Sequence, residues 1–168
     1  MKIEIIRSPR RKKTISAKLF GEELRVYLPA GLTKAEEEEW IDKVIKSMER
    51  RKLRRELNAD EGLKERAQEL NHRYFGGKLK ISSVEYVTNQ NRRHGSCDHK
   101  KGTIRISYRL AEMPPWVRDY VIVHELAHLI YPNHSKAFWK AVNQYKYAER
   151  ARGFLIAKDM EKDKLARG

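Results

Sequence analysis

Several things are scarce in these 168 residues, and each scarcity excludes something. There is a single cysteine, Cys97. No disulfide can close within the chain, and a reducing, cytoplasmic setting is expected. No apolar run approaches the ~20 residues of a membrane span, so no membrane partner is expected. The opening MKIEIIRSPRRKK is basic but lacks the apolar core of a secretory leader. Internal repeats and low-complexity linkers are absent. Acidic residues are outnumbered, 23 Asp and Glu against 37 Lys and Arg, for a net charge of +14. Such an excess suits DNA or another polyanion as partner, although highly charged surfaces also serve solubility and heat resistance.

Hydrophobic residues make up 40% of the chain, enough for a core. Residues 2–7, 14–20 and 24–29 read as short strands, with GEE joining the last two. Arg10, Arg11, Lys12 and Lys13 make a basic turn. A long helix follows, opened by a Thr33/Glu36 capping box and an acidic first turn. Trp40, Ile41, Val44, Ile45 and Met48 recur at helical spacing and are expected in a core. Asp60 suits the cap of a second helix carrying Leu63, Ala67, Leu70 and Tyr74, which Gly76 and Gly77 end. Strands are predicted at 80–88 and 103–108, joined by the polar loop NQNRRHGSCDHKKG. A third helix begins at Pro115 and runs to about Ile130; it is apolar nearly all round and therefore buried. Ser135 caps a fourth, with Phe138, Trp139, Val142 and Tyr145 as its stripe. Residues 147–168 read as a charged tail whose GFLIA patch can dock. The pattern β-β-β-α-α-β-β-α-α predicts an α+β fold. The expected division is 1–58, strands and an amphipathic helix, and 59–168, a catalytic domain, unless the two form one compact unit.

The chemistry concentrates in VIVHELAHLIYPNHSKAFW, residues 121–139. At ~100° per residue, His124 and His128 lie about 40° apart on one helix face and can share an ion. Glu125 lies about 60° round from His128 and can reach a water activated by the ion without ligating it. Two imidazoles and a carboxyl in an apolar helix are costly unless paired or metal-bound; hydrogen-bonded core histidines with Glu125 in a salt bridge are the plainer reading. His134, just past a Pro132–Asn133 break, is the natural third ligand, with Glu149 or Glu161 as alternatives. A catalytic zinc (Zn2+) has three protein ligands and an open position. Tyr131, His94 and Arg93 are candidates to stabilise an oxyanion. Asp119, on the same helix, is either support for a ligand or an acid complementing the helix dipole. Cys97 reads as a structural loop residue, since only Arg92 and Arg93 nearby favour a thiolate.

The segments RRHGSCDHKKGTIRISYRL and DYVIVHELAHLIYPNHSKAFW resemble the YgjP-like metallopeptidase family, relatives of the SprT-like and WLM zinc proteases. IRSPRRKKTISAKL and LRVYLPAGLT resemble its N-terminal strands. The resemblance implies a minimal zincin-like catalytic domain, a mixed sheet packed on the active-site helix, with an N-terminal β-rich extension. It implies His124, His128 and His134 as zinc ligands and Glu125 as base. It also makes the strand after Gly95-Ser96-Cys97 the sheet edge on which a peptide pairs. The family's loop tryptophan is His94 here. The count HExxHxxxxxH matches metzincins too, but their turn glycine is Tyr131 and Met160 sits in a charged context.

Three functions follow as expectations. The first is a zinc metallopeptidase acting on protein or peptide, in association with nucleic acid. The second is a metal-dependent nucleoside triphosphate pyrophosphohydrolase, with Arg92, Arg93, Lys100 and Lys101 holding the phosphates. The third is a non-catalytic nucleic-acid-binding module with a structural zinc, which needs Cys97 as a further ligand.

Overall fold

The structure, a computed structural model, describes residues 2–12, 14–59, 61–90 and 92–165. Lys13 of the basic turn and Asp60, the expected helix cap, lie outside them. The chain forms two compact units, Met1–Leu53 and Arg54–Gly168.

In the first unit β1 (Lys2–Ser8), β2 (Ser16–Phe20) and β3 (Glu23–Pro29) form a sheet of order β1-β3-β2. The outer strands run parallel (β1) and antiparallel (β2) to β3. Leu24, Val26 and Leu28 alternate along β3 and are fully buried, as a period of two requires. Helix α1 (Lys34–Leu57) packs Ile41, Val44, Ile45 and Met48 against them. The capping box forms: Thr33 Oγ1 accepts from Glu36 N at 3.3 Å, and Glu36 Oε2 accepts from Thr33 N at 2.8 Å. Trp40, expected in the core, is instead 38% exposed, with Lys43 Nζ 4.6 Å from its ring centre. One exposed ring at the stripe's edge is stabilised by a cation over its face rather than by burial.

The second unit is built on β4 (Ser83–Val87), β5 (Gly95–Asp98) and β6 (Thr103–Ser107), in the order β4-β6-β5. β6 pairs parallel with β4 and antiparallel with β5. This corrects two expectations. The polar loop contains a strand, and that strand is the sheet edge, while the strand after it is central. GSCD carries little β-propensity; register against the buried Ile104 and Ile106 forms it.

Helices α2 (Gly62–Phe75), α3 (Pro115–Ala127), α4 (Lys136–Val142) and α5 (Ala148–Leu165) complete the unit. Gly76 ends α2 at φ +63°, a left-handed cap that glycine adopts without strain. α3 stops three residues short of the expected Ile130. Leu129 N bonds Leu126 O and Ile130 N bonds Ala127 O, so the last turn tightens to i→i+3 bonding before Pro132. The apolar α3 is buried as expected, with Val117, Ile122, Val123 and Leu126 fully so. The charged tail is a helix. Ala148, Ala151 and Leu155 of α5 are buried at i, i+3 and i+7 in the same core, an amphipathic stripe the charge had masked.

Candidate metal centre

His124 occupies the last turn of α3 and His128 is its C-terminal cap. The bend at Pro132–Asn133 brings His134 back, its Nε2 3.1 Å from His124 Nε2. The three histidines present one nitrogen each within 4.8 Å of one another. Nitrogens bound tetrahedrally at 2.0–2.1 Å would lie about 3.3 Å apart, so the cluster closes on an ion with small adjustments. His128 Nδ1–H donates to Tyr131 O at 3.0 Å. A carbonyl only accepts, so the ring carries its proton there and leaves Nε2 free as a donor to metal.

Helix α4 holds this arrangement from behind. Ser135 Oγ caps it by accepting from Phe138 N at 3.3 Å. The fully buried Phe138 ring lies 4.8, 4.5 and 4.7 Å from the rings of His124, His128 and His134. Trp139 stacks on His134 at 5.4 Å and 20°. Burial, then the neighbouring His128 and His134, push the His124 pKa down to about 3; burial lowers that of His128 as well. Both rings are therefore neutral at pH 7 with lone pairs available, which is what ligation needs.

Glu125 is 6% exposed. Burial pushes its pKa up to about 8 against the opposing pull of Arg93, so the metal-free chain holds the carboxyl largely protonated at pH 7, and a cation bound beside it would favour the ionised form. Glu125 lies against the start of the edge strand. A Cβ on Gly95 would stand 2.6 Å from Glu125 Oε1 and 2.8 Å from its Cγ, so only glycine leaves room. Cys97 is a strand residue, and burial, Glu125 and Asp98 push its thiol up to about 12. It stays protonated, which removes it as nucleophile, and it stands outside the histidine group.

His124 and Glu125 open onto a cavity of about 350 Å³. Its walls include Arg92, Arg93 and His94 from the segment before β5, Tyr120 and Val121 from α3, and Arg152, Leu155, Ile156 and Asp159 from α5. His94 Nε2 lies 3.0 Å from Asp159 Oδ2, and Arg109 is 4.0 Å from the other oxygen. His94 Nδ1 is buried without a partner.

The remaining candidates fall elsewhere. Tyr131 contributes its carbonyl, while its ring packs on the core. Asp119 is away from the histidines: five residues turn α3 by about 140° from His124, and Arg66 of α2 grips the buried carboxylate at 3.1 and 2.6 Å. It lines a different cavity, with Tyr145 and Trp116. Glu149 and Glu161 are held by Arg152 and Lys158 and stand outside the histidine group. Lys100 and Lys101 sit in the β5–β6 turn, not on the cavity wall. Arg152, Asp159 and Tyr120 went unrecognised in the sequence, and the only signal for the first two was the i, i+3, i+7 stripe beneath the tail's charges.

Three imidazoles and a buried carboxyl, set at the end of a buried helix beside a sheet edge, form a metal-hydrolase type of centre on an α+β fold. Residues 11–152 match the YgjP-like, metallopeptidase domain family, to which the chain therefore belongs. Membership implies a metal cofactor, and the histidine triad could bind one. The fold is similar to the crystal structure of the metallopeptidase zymogen of Pyrococcus abyssi abylysin, with a TM-score of 0.50 at 20% identity, over 57% of this chain and 93% of that one. No curated protein sequence matches the chain.

Proposed function

We propose that the chain is a zinc metallopeptidase of minimal zincin-like type, with His124, His128 and His134 as ligands and Glu125 as general base. The first unit is then a β-rich extension to the catalytic second. One observation carries the reading: three imidazole nitrogens within 4.8 Å of one another on the flank of a buried carboxyl. An all-nitrogen donor set suits zinc better than the oxygen-seeking Mg or Ca. Bound there, zinc supplies Lewis acidity to a water and to the scissile carbonyl. Glu125 Oε takes the water's proton as its oxygen bonds the carbonyl carbon. The same carboxyl then gives the proton to the departing amide nitrogen as the C–N bond breaks. The edge strand β5 offers backbone groups on which an extended substrate can pair.

Zinc content and cleavage of an unstructured protein test this in wild type and Glu125→Gln. Equal zinc with cleavage only in wild type is expected; undiminished cleavage by Glu125→Gln sinks the assignment. A second reading has its own observation. Arg92, Arg93 and Arg152 on the cavity wall suit a polyphosphate, making the centre a nucleoside triphosphate pyrophosphohydrolase. Pyrophosphate release from UTP, lost in Glu125→Gln and unaccompanied by proteolysis, would select it.

Association with nucleic acid is supported by the +14 charge and by cations over ring faces near the second cavity. Arg73 lies 5.7 Å from Tyr74, Lys146 4.6 Å from Tyr147 and Arg150 4.7 Å from Trp116, an arrangement suited to stacked bases and phosphates. Single-stranded oligonucleotide binding should fall steeply with salt; no binding at low salt ends the idea.

A further inference from the structure

The cavity beside Glu125 has a chemical character the metal centre does not require. Three arginines face it, and its one acid outside the motif, Asp159, is already met by His94 and Arg109. Val121, Leu155 and Ile156 give it apolar walls. We propose that this cavity is a subsite for a carboxylate carried by the substrate, with Arg152 and Arg93 as the recognising cations. The inference rests on the peptidase reading above and names its substrate class: chains with an acidic group next to the scissile bond.

Position decides the first point. The cavity shares His124 and Glu125 with the reacting centre, so whatever fills it belongs to a residue adjoining the bond that breaks. Preorganisation decides the second. Arg152 Nε donates to Tyr120 Oη at 3.5 Å and its NH2 nitrogen to Asn143 Oδ1 at 3.1 Å. Its guanidinium lies 4.8 Å from the Trp139 ring, the same ring that stacks on His134. The cation is thus fixed relative to the third histidine before substrate arrives, and little ordering remains to oppose binding. Its present acidic partner, Glu149, is 80% exposed, a weak competitor in water. Arg93 lines the same cavity from the segment before β5. Among the described residues its side chain makes no hydrogen bond or ion pair, and its field already reaches Glu125. Apolar walls ending in two guanidinium groups match the methylene stem and charged head of an acidic side chain. A free C-terminal carboxylate has the same head chemistry.

Matched fluorogenic peptides separate the sources: Glu against Gln on either side of the cleaved bond, each with a free or amidated C-terminus. With the full-length, zinc-loaded protein, kcat/KM should be about tenfold higher for the carboxylate-bearing member of a pair, the scale of a charge-assisted contact. Arg152→Met and Arg93→Gln should each drive that ratio towards one at unchanged zinc content. Arg93 is exposed and free of structural bonds, so its variant folds even where Arg152→Met does not. A wild-type ratio near one, or a ratio that survives both substitutions, overturns the subsite. Fluorescence anisotropy of the same peptides on Glu125→Gln reads the preference without cleavage. Absence of cleavage by wild type thus counts against the peptidase, and absence of discrimination in binding against the subsite. Displacement of neutral and acidic peptides alike by inorganic triphosphate, without Glu/Gln discrimination, reassigns the arginines to phosphate.

Discussion

Gly95→Ala should disable the enzyme without touching a ligand. The added methyl would stand 2.8 Å from Glu125 Cγ, 3.0 Å from Cδ and 2.6 Å from Oε1. Carbon–carbon contacts settle near 3.5 Å or more, so the side chain must retreat by roughly 0.7 Å at Cγ. Glu125 is 6% exposed, and retreat into the cavity it lines carries the carboxyl off its position beside the strand. Misplacing a reacting group by ~1 Å costs on the order of 10²-fold, and a general base contributes about 10²–10⁴-fold in all. The expectation is a fall in kcat of about 10–100-fold, smaller than that of Glu125→Gln, with KM little changed. Overpacking should also lower stability by about 1–3 kcal/mol. Zinc should stay stoichiometric, because the three atoms nearest the methyl all belong to Glu125. The assay is steady-state cleavage of an unstructured peptide by the zinc-loaded variant, with metal analysis and a melting curve on the same sample. Wild-type kcat in a folded, zinc-replete Gly95→Ala protein would refute the claim that this close approach positions the base.

Three further outcomes are expected. His134→Ala should weaken zinc binding by orders of magnitude while the metal-free fold melts normally, since the exposed ring leaves no hole; full occupancy in equilibrium dialysis removes His134 from the ligand set. Asp119→Ala should cost about 2–4 kcal/mol in denaturant melts, because loss of the buried carboxylate leaves Arg66 with the exposed Glu69 alone, yet zinc content should not move; lost zinc would restore Asp119 to the site. The metal-free protein should lose stability as pH falls below about 6.5. The unfolded chain protonates His124 there, while the fold holds it near 3, so the contribution is whole above pH 6.5 and drains away towards 3. A melting temperature just as acid-sensitive in His124→Gln as in wild type contradicts that source.

The site was more legible than the fold around it. HELAH is a local pattern: the fixed rotation per residue of one helix puts His124 and His128 side by side whatever else the chain does. Thr33 with Glu36 and Ser135 with Phe138 were readable for the same reason, since each cap bonds only across a turn. The strand GSCD was not readable. Its four residues pair with Thr103, Ile104, Arg105 and Ile106 through backbone groups that every sequence possesses. The tail misled in another way, because its buried positions are two alanines and one leucine among many charges.

The sequence by itself determined the two neighbouring imidazoles, the carboxyl between them and the helix that carries them, because those relations span a single turn or two. Only the tertiary structure decided what surrounds them: Gly95 against Glu125, Phe138 and Trp139 behind the imidazoles, and Arg152 of α5 with Arg93 in one cavity. Gly95 and Glu125, like Arg93 and Arg152, are separated by tens of residues. They meet because β5 is pinned as the edge of a sheet and α5 docks on α3. Residue spacing along the chain cannot encode a distance that burial of a common core sets.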